Sequence, residues 1–254
     1  MITYKIHFIR HGITEGNLKG LYVGRTDTPL CDDGRKKLLD LKENCGYPDI
    51  QKLYVSPLTR CRETAEIIYP DSFTEIVQNF TEYDFGAFEG KAISELKTDP
   101  AFNAWIDSGM KTPPPGGESS TDLEQRISDA LEYVFENMMK NKLTSVGVIT
   151  HGGVIMTLMA KYAYPKREKP YDWIVPNGTG FTILMTPQMW MRDEGFEVYE
   201  PIPYRYQAFQ RLGLEAYQEQ LREWNEGGFA DDHYLYDYAD EKEDENATMV
   251  TPRQ

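Results

Sequence analysis

Residues 3–12 read Thr-Tyr-Lys-Ile-His-Phe-Ile-Arg-His-Gly. The alternating, β-forming first part predicts a strand over about residues 3 to 9, and Arg10-His11-Gly12 then marks a sharp change of direction. Residues 144–153, TSVGVITHGG, have the same form: a buried strand that runs into a glycine turn and a further helix, with His151 standing where His11 stands in the first. Between them, CDDGRKKLLDLKENCG (31–46) places Leu38, Leu39 and Leu41 on a helical period and closes on Gly46. QKLYVS (51–56) predicts a short strand, and LTRCRETAEIIYP (58–70) a helix stopped by Pro70. Thr121 with Glu124 has capping-box spacing and opens a long helix bearing Leu123, Ile127, Leu131, Val134 and Met138. GTGFTILMT (178–186) predicts one more strand. Strands alternating with helices predict an α/β fold, a three-layer α/β/α sandwich with a mostly parallel central sheet.

The remainder divides by composition. Residues 78–118, with a short helical candidate around Ile93 to Trp105 and the loop PPPGGE, are expected to form an insertion over the sheet edge and the active site. Residues 1–203 make the main domain. A C-terminal helical extension is expected over 204–238, where Tyr206, Phe209, Tyr217, Leu221 and Trp224 share one stripe as far as 226, and an acidic, disordered tail over 239–254. That stripe is expected to cover its own core, to join two copies in a homodimer, or to return as a lid that adds Tyr or Trp to the pocket.

Of the 254 residues, 40% are hydrophobic and 27% charged, a globular composition. No uninterrupted apolar run exceeds three residues, so no membrane span is expected, and the start lacks the features of a secretory signal. A cytoplasmic location is the expectation. A net charge of −14, half of it in residues 205–254, disfavours nucleic acid and anionic lipid as partners. Cys31, Cys45 and Cys61 are odd in number and widely spaced, which suits buried reduced thiols. His7 and His11 have a zinc spacing only if helical, and they fall on a strand; no metal and no other cofactor is expected.

In an α/β sheet the carboxyl ends of strands line the ligand crevice, and a helix N-terminus there presents free N–H groups to an anion. His11 and His151 are both placed at such ends, and Arg10 and Arg60 offer paired donors suited to phosphate oxygens. Other phosphatase designs are missing from the letters: no Cys-x5-Arg, no Asp-x-Asp and no GxxxxGK[ST] occurs.

Arg10-His11-Gly12 followed by Thr14 and Asn17 resembles the RHGxTxxN signature of the histidine phosphatase superfamily, also called phosphoglycerate mutase-like. Four further blocks agree in order: Gly24-Arg25-Thr26-Asp27 with Pro29-Leu30 and Gly34; Ser56-Pro57-Leu58 with Arg60-Cys61 and Glu63-Thr64-Ala65; Glu82 with Phe85-Gly86, Phe88-Glu89-Gly90; and Thr150-His151-Gly152-Gly153. The match covers about residues 4 to 185. The resemblance implies attack on phosphorus by His11, a clamp of Arg10, Arg60 and His151 on the phosphoryl oxygens, and Glu82 as general acid and base. It implies substrate contacts from Thr14, Asn17, Arg25 and Gly152. Cys31 stands where the family commonly has Ser or Thr at a helix cap.

Between Glu82 and Glu118 the only basic residues are Lys91, Lys97 and Lys111, with Phe85, Phe88, Phe102 and Trp105 in the same stretch. That suits a small phosphomonoester with a sugar or partly apolar body better than a bisphosphate, and the EYDFGAFEG form resembles the branch of α-ribazole and broad-specificity phosphatases. The expected activity is metal-independent phosphomonoester hydrolysis. The alternatives are mutase-type phosphoryl transfer and a non-catalytic phospho-ligand binder.

Overall fold

The first predicted strand is β1 (Tyr4–Arg10), and its alternating side chains divide the core of the computed structural model. The structure describes residues 2–193 and 195–206, so nearly all of the expected extension, its aromatic stripe and the acidic tail lie outside the described residues. The other strands are β2 (Lys52–Val55), β3 (Thr74–Ile76), β4 (Ser145–Thr150), β5 (Ala163–Tyr164), β6 (Gly180–Met185) and β7 (Phe196–Ile202). They form one sheet in the order β3-β2-β4-β1-β6-β7-β5. Neighbours are parallel except where β6 pairs, antiparallel to both β1 and β7.

Eight α-helices are described: α1 (Glu15–Leu18), α2 (Asp32–Asn44), α3 (Thr59–Ile68), α4 (Ile93–Leu96), α5 (Pro100–Asp107), α6 (Ser120–Asn141), α7 (Gly152–Tyr162) and α8 (Pro187–Asp193). Ile6, Phe8, Tyr54, Val146 and Val148 pack on one sheet face with Ile127, Leu131 and Val134 of α6 and Ile155 and Leu158 of α7. Ile9, Leu53, Val55 and Ile149 pack on the other with Leu38 of α2 and Cys61, Ala65 and Ile68 of α3. The strict two-residue period of a strand buried on both faces thus produces the three-layer α/β/α sandwich. No helix among the described residues is long and apolar enough to cross a membrane.

Several local expectations shift. The capping box of α6 is Ser119 with Asp122, not Thr121 with Glu124: the Ser119 hydroxyl accepts from Asp122 N at 3.1 Å, and Asp122 Oδ2 accepts from Ser119 N at 3.3 Å. Three consecutive hydroxyl residues, 119 to 121, offered the same cap in different registers. The expected helix from Ile93 to Trp105 is two helices, because Pro100 cannot donate within a helix and begins α5 at its first position, behind the cap of Asp99. Leu39 is exposed while Leu38 and Leu41 are buried. Gly152 and Gly153 form the first turn of α7 rather than a separate turn. Cys31 does cap α2, its sulfur accepting from Gly34 N at 3.3 Å, and Gly46 takes φ +77° just beyond that helix.

Candidate active site

Arg10 pairs with Thr150 in the parallel register of β1 and β4, so the next residue on each strand, His11 and His151, emerges at the same level. His11 N donates to Thr150 O at 2.9 Å, and the two imidazole rings lie 5.2 Å apart. His11 is 5% exposed, and its Nδ1 lies 2.6 Å from Gly12 O. A carbonyl oxygen only accepts, so Nδ1 carries the proton and Nε2 keeps its lone pair. Burial, then Arg60 and Arg10, hold the His11 pKa well below 6.5 against the opposing bond to Gly12, and the ring is neutral near pH 7.

Arg60 lies in the first turn of α3 with no exposed surface. It donates to Gly24 O (2.6 Å), to Thr26 O (2.9 Å) and from Nε to His151 Nδ1 (3.3 Å). A guanidinium only donates, so His151 Nδ1 accepts and its Nε2–H donates to Ser56 Oγ at 2.7 Å. Burial, Arg60, His11 and Arg10 keep the His151 pKa well below 6.5 as well. Cys61 lies 3.5 Å from His151 Nε2, and burial pushes its thiol up to about 12, so it stays protonated.

Arg10 donates to Val175 O at 2.8 Å and lies against the first residue of α7. A Cβ on Gly152 would come within 3.1 Å of Arg10 Nε, and one on Gly153 within 2.6 Å of Glu82 Oε1. The two glycines therefore make room for a cation and a carboxylate at the positive end of α7. Glu82, 8% exposed, accepts from Gly153 N at 3.0 Å and from Tyr83 N at 2.9 Å. A Gly153→Ala variant should move that carboxylate and lower turnover about 10- to 100-fold. Steady-state kinetics on an alkyl phosphate checks it, and wild-type turnover would contradict the contact.

The expected substrate-contact residues divide. Asn17 Oδ1 accepts from Thr14 N and Oγ1, both at 3.1 Å, and from Asn177 Nδ2 at 3.3 Å, which leaves its own Nδ2 donors for other work. Thr14 is fully buried as the cap of α1. Arg25 pairs with Asp84 and Glu118, both at 3.3 Å. His7 is remote from the site in its bonding, with Nδ1 at 2.9 Å from Thr182 Oγ1 and Nε2 at 3.0 Å from Ser145 Oγ. Among the described residues no group of three or more His, Cys, Asp or Glu side chains is gathered as for a metal ion.

Sequence reasoning gave no role to Asn177, whose Nδ2 donates to His11 O at 3.0 Å, or to Ser56 beyond its block. Nor did it give a role to Thr64 beyond the same block, where Thr64 accepts from Gly12 N at 2.9 Å and donates to Arg60 O at 2.6 Å. The Asn-Gly pair at 177–178 was a turn signal that could have drawn attention to the first of these.

A model of branch 1 of the histidine phosphatase superfamily matches residues 6–191. The chain belongs to this superfamily. A metal-independent phosphoserine phosphatase of Arabidopsis thaliana is 31% identical over 161 residues, 61% of this chain and 66% of its own length. A 2,3-bisphosphoglycerate-dependent phosphoglycerate mutase of Rhizobium etli is 30% identical over 162 residues, 59% of this chain and 76% of its own. The crystal structure of the α-ribazole phosphatase from Shigella flexneri superposes with a TM-score of 0.64 at 21% identity, covering 77% of this chain and 94% of that one, and shows the shared fold. Within the superfamily both phosphatases and mutases thus resemble this chain, which supports enzymatic activity.

His7, His11 and His151 share one electrostatic sign. His7 is lowered to about 4, mainly by burial and then by Lys5. The unfolded chain takes up a proton on it near pH 6.5 that the folded protein refuses until about pH 4. Its contribution is complete above pH 6.5 and is lost as pH falls toward 4, about 3 kcal/mol for His7, with His11 and His151 adding in the same direction. Urea unfolding at pH 7 and pH 5 should show the decline. Equal or greater stability at pH 5 would contradict it.

Proposed function

We propose that the protein is a metal-independent phosphomonoesterase working through a phosphohistidine on His11. The observation that carries this reading is the Nδ1–Gly12 O bond of 2.6 Å, which leaves a neutral imidazole with an Nε2 lone pair amid two arginines. That lone pair forms the N–P bond while the ester P–O bond breaks, and the leaving alkoxide takes a proton from Glu82. In the second step Glu82 takes a proton from water, whose oxygen attacks phosphorus as the N–P bond breaks. Inorganic phosphate leaves and His11 is regenerated.

Arg10 and Arg60 would hold the non-bridging oxygens and spread their charge, with the N-terminus of α7 and Asn17 Nδ2 adding donors. His151 would orient Arg60 through Nδ1, and once an anion is bound and the ring takes a proton, would donate from that nitrogen to the phosphoryl group. Gly152 keeps Arg10 in place through close approach, and Thr14 fixes Asn17. Arg25 would bind substrate only by leaving Asp84 and Glu118.

Two carboxylates beside Arg25, and three lysines without an arginine between Glu82 and Glu118, support a monoester over a bisphosphate. Phosphatase relatives support hydrolysis, while the similarity to a mutase favours a second reading in which the phosphohistidine passes its group to another metabolite. The substrate is a small monoester, and neither nucleic acid nor membrane enters the reading.

Glu82→Gln is the test of this function. It should lower kcat/KM, which reports only the step in which the ester bond breaks, by about 10² to 10⁴ on an alkyl phosphate and far less on p-nitrophenyl phosphate, whose leaving group hardly needs a proton. Wild-type activity should survive EDTA. Equal losses on both esters would remove Glu82 from the acid role.

A further inference from the structure

We propose that Arg126 and Glu118 form a positioning pair that sets the placement of Glu82 for proton transfer, an inference that rests on Glu82 being the acid. Residues 81–85 belong to no helix or strand, so their main-chain groups need partners from elsewhere. One side chain on α6 serves two of their carbonyls and a third just ahead of them. Arg126 Nη1 donates to Asn79 O (2.8 Å) and Thr81 O (2.7 Å), and Nη2 to Glu82 O (2.9 Å). The same guanidinium grips Glu118 in a fork, Nη2 to Oε1 at 2.6 Å and Nε to Oε2 at 2.9 Å. Glu118 Oε1 in turn accepts from Asp84 N at 2.9 Å.

The chain on either side of Glu82 is therefore fixed at three carbonyls and one amide by a single, largely buried ion pair, with side-chain exposures of 14% and 10%. Burial would raise the Glu118 pKa, but Arg126, the Asp84 amide and Arg25 outweigh it and hold the carboxyl below its usual range, so the pair stays charged. Lysine could not replace this arginine, since an ammonium has no planar fork to serve three carbonyls and a carboxylate together. Glu118 Oε2 also lies 3.3 Å from Arg25 Nη2. Through Arg25 the pair reaches the loop whose Gly24 and Thr26 carbonyls hold Arg60, joining the acid's segment to the phosphate clamp.

The test compares Arg126→Lys and Glu118→Gln with Glu82→Gln and wild type on n-butyl phosphate and p-nitrophenyl phosphate. Arg126→Lys should lower kcat/KM on the butyl ester about 10- to 100-fold and on the nitrophenyl ester less than about 3-fold, since kcat/KM reports only the step in which the ester bond breaks. Adding Arg126→Lys to Glu82→Gln should cost nothing further on the butyl ester. A uniform loss on both esters, an additive double variant, or no loss would overturn the positioning pair while Glu82→Gln keeps its selectivity. An equal loss on both esters in Glu82→Gln itself would instead remove the acid, and the proposal with it. Circular dichroism checks folding, and if Arg126→Lys does not fold, Glu118→Gln carries the same comparison, with selective loss expected and uniform or no loss overturning it.

Discussion

Replacing His11 by alanine should lower turnover of p-nitrophenyl phosphate by at least about 10³-fold, because the proposed mechanism then loses its nucleophile while keeping Arg10, Arg60 and His151 as the proposed phosphate clamp. The His11 ring is 5% exposed and held by one short bond to Gly12 O, so the substitution leaves a small space rather than a broken network. Binding should accordingly persist: inorganic phosphate should still raise the melting temperature of the variant. Turnover within tenfold of wild type would exclude His11 as the nucleophile. Loss of both turnover and phosphate binding would assign it to the clamp instead.

Arg60→Met should remove the other half of the site. Arg60 is buried, and its hydrogen-bond acceptors are two carbonyls and a neutral histidine, so its charge is left for an anion to meet. Phosphate at a hundredfold excess over its Kd should stabilise the wild type by about 2.7 kcal/mol, roughly 5 to 10 °C in Tm. In Arg60→Met that rise should vanish, and kcat/KM should fall about 10²- to 10³-fold. An undiminished phosphate-induced shift, followed by calorimetry, would contradict the clamp.

Much of the site was legible because its residues sit at strand ends. The buried alternation of β1 and of β4 could be read locally, and parallel pairing then places His11 and His151 at one level. What could not be read depends on contacts between distant parts of the chain. Asn177 reaches His11 O across 166 positions, and Arg126 reaches the carbonyls of residues 79 to 82 across more than 40. Neither lies in a segment whose pattern announces such a contact. In the fold, β3 is three residues of an edge strand and β5 only two, too short for any period to show, and α8 and β7 went unread. The antiparallel course of β6 follows from its pairing with both β1 and β7.

The shift of the α6 cap from Thr121 to Ser119 has a similar lesson. Local spacing allowed either, while the observed register accompanies the fork between Arg126 and Glu118, the residue just before the cap. The cap register and the bonding of the residue beside it thus go together, which spacing alone does not show.

A covalent phosphohistidine should be seen most directly in the Glu82→Gln variant as it turns over p-nitrophenyl phosphate. The first step needs little acid with this ester, whereas attack by water still needs the base, so the intermediate should accumulate. Denaturing the variant in alkaline detergent during turnover and mapping phosphate by mass spectrometry should find close to one phosphoryl group per chain, on His11, stable in base and lost in acid. Steady release of p-nitrophenol with no phosphate on His11, or with phosphate on another residue, would contradict the account.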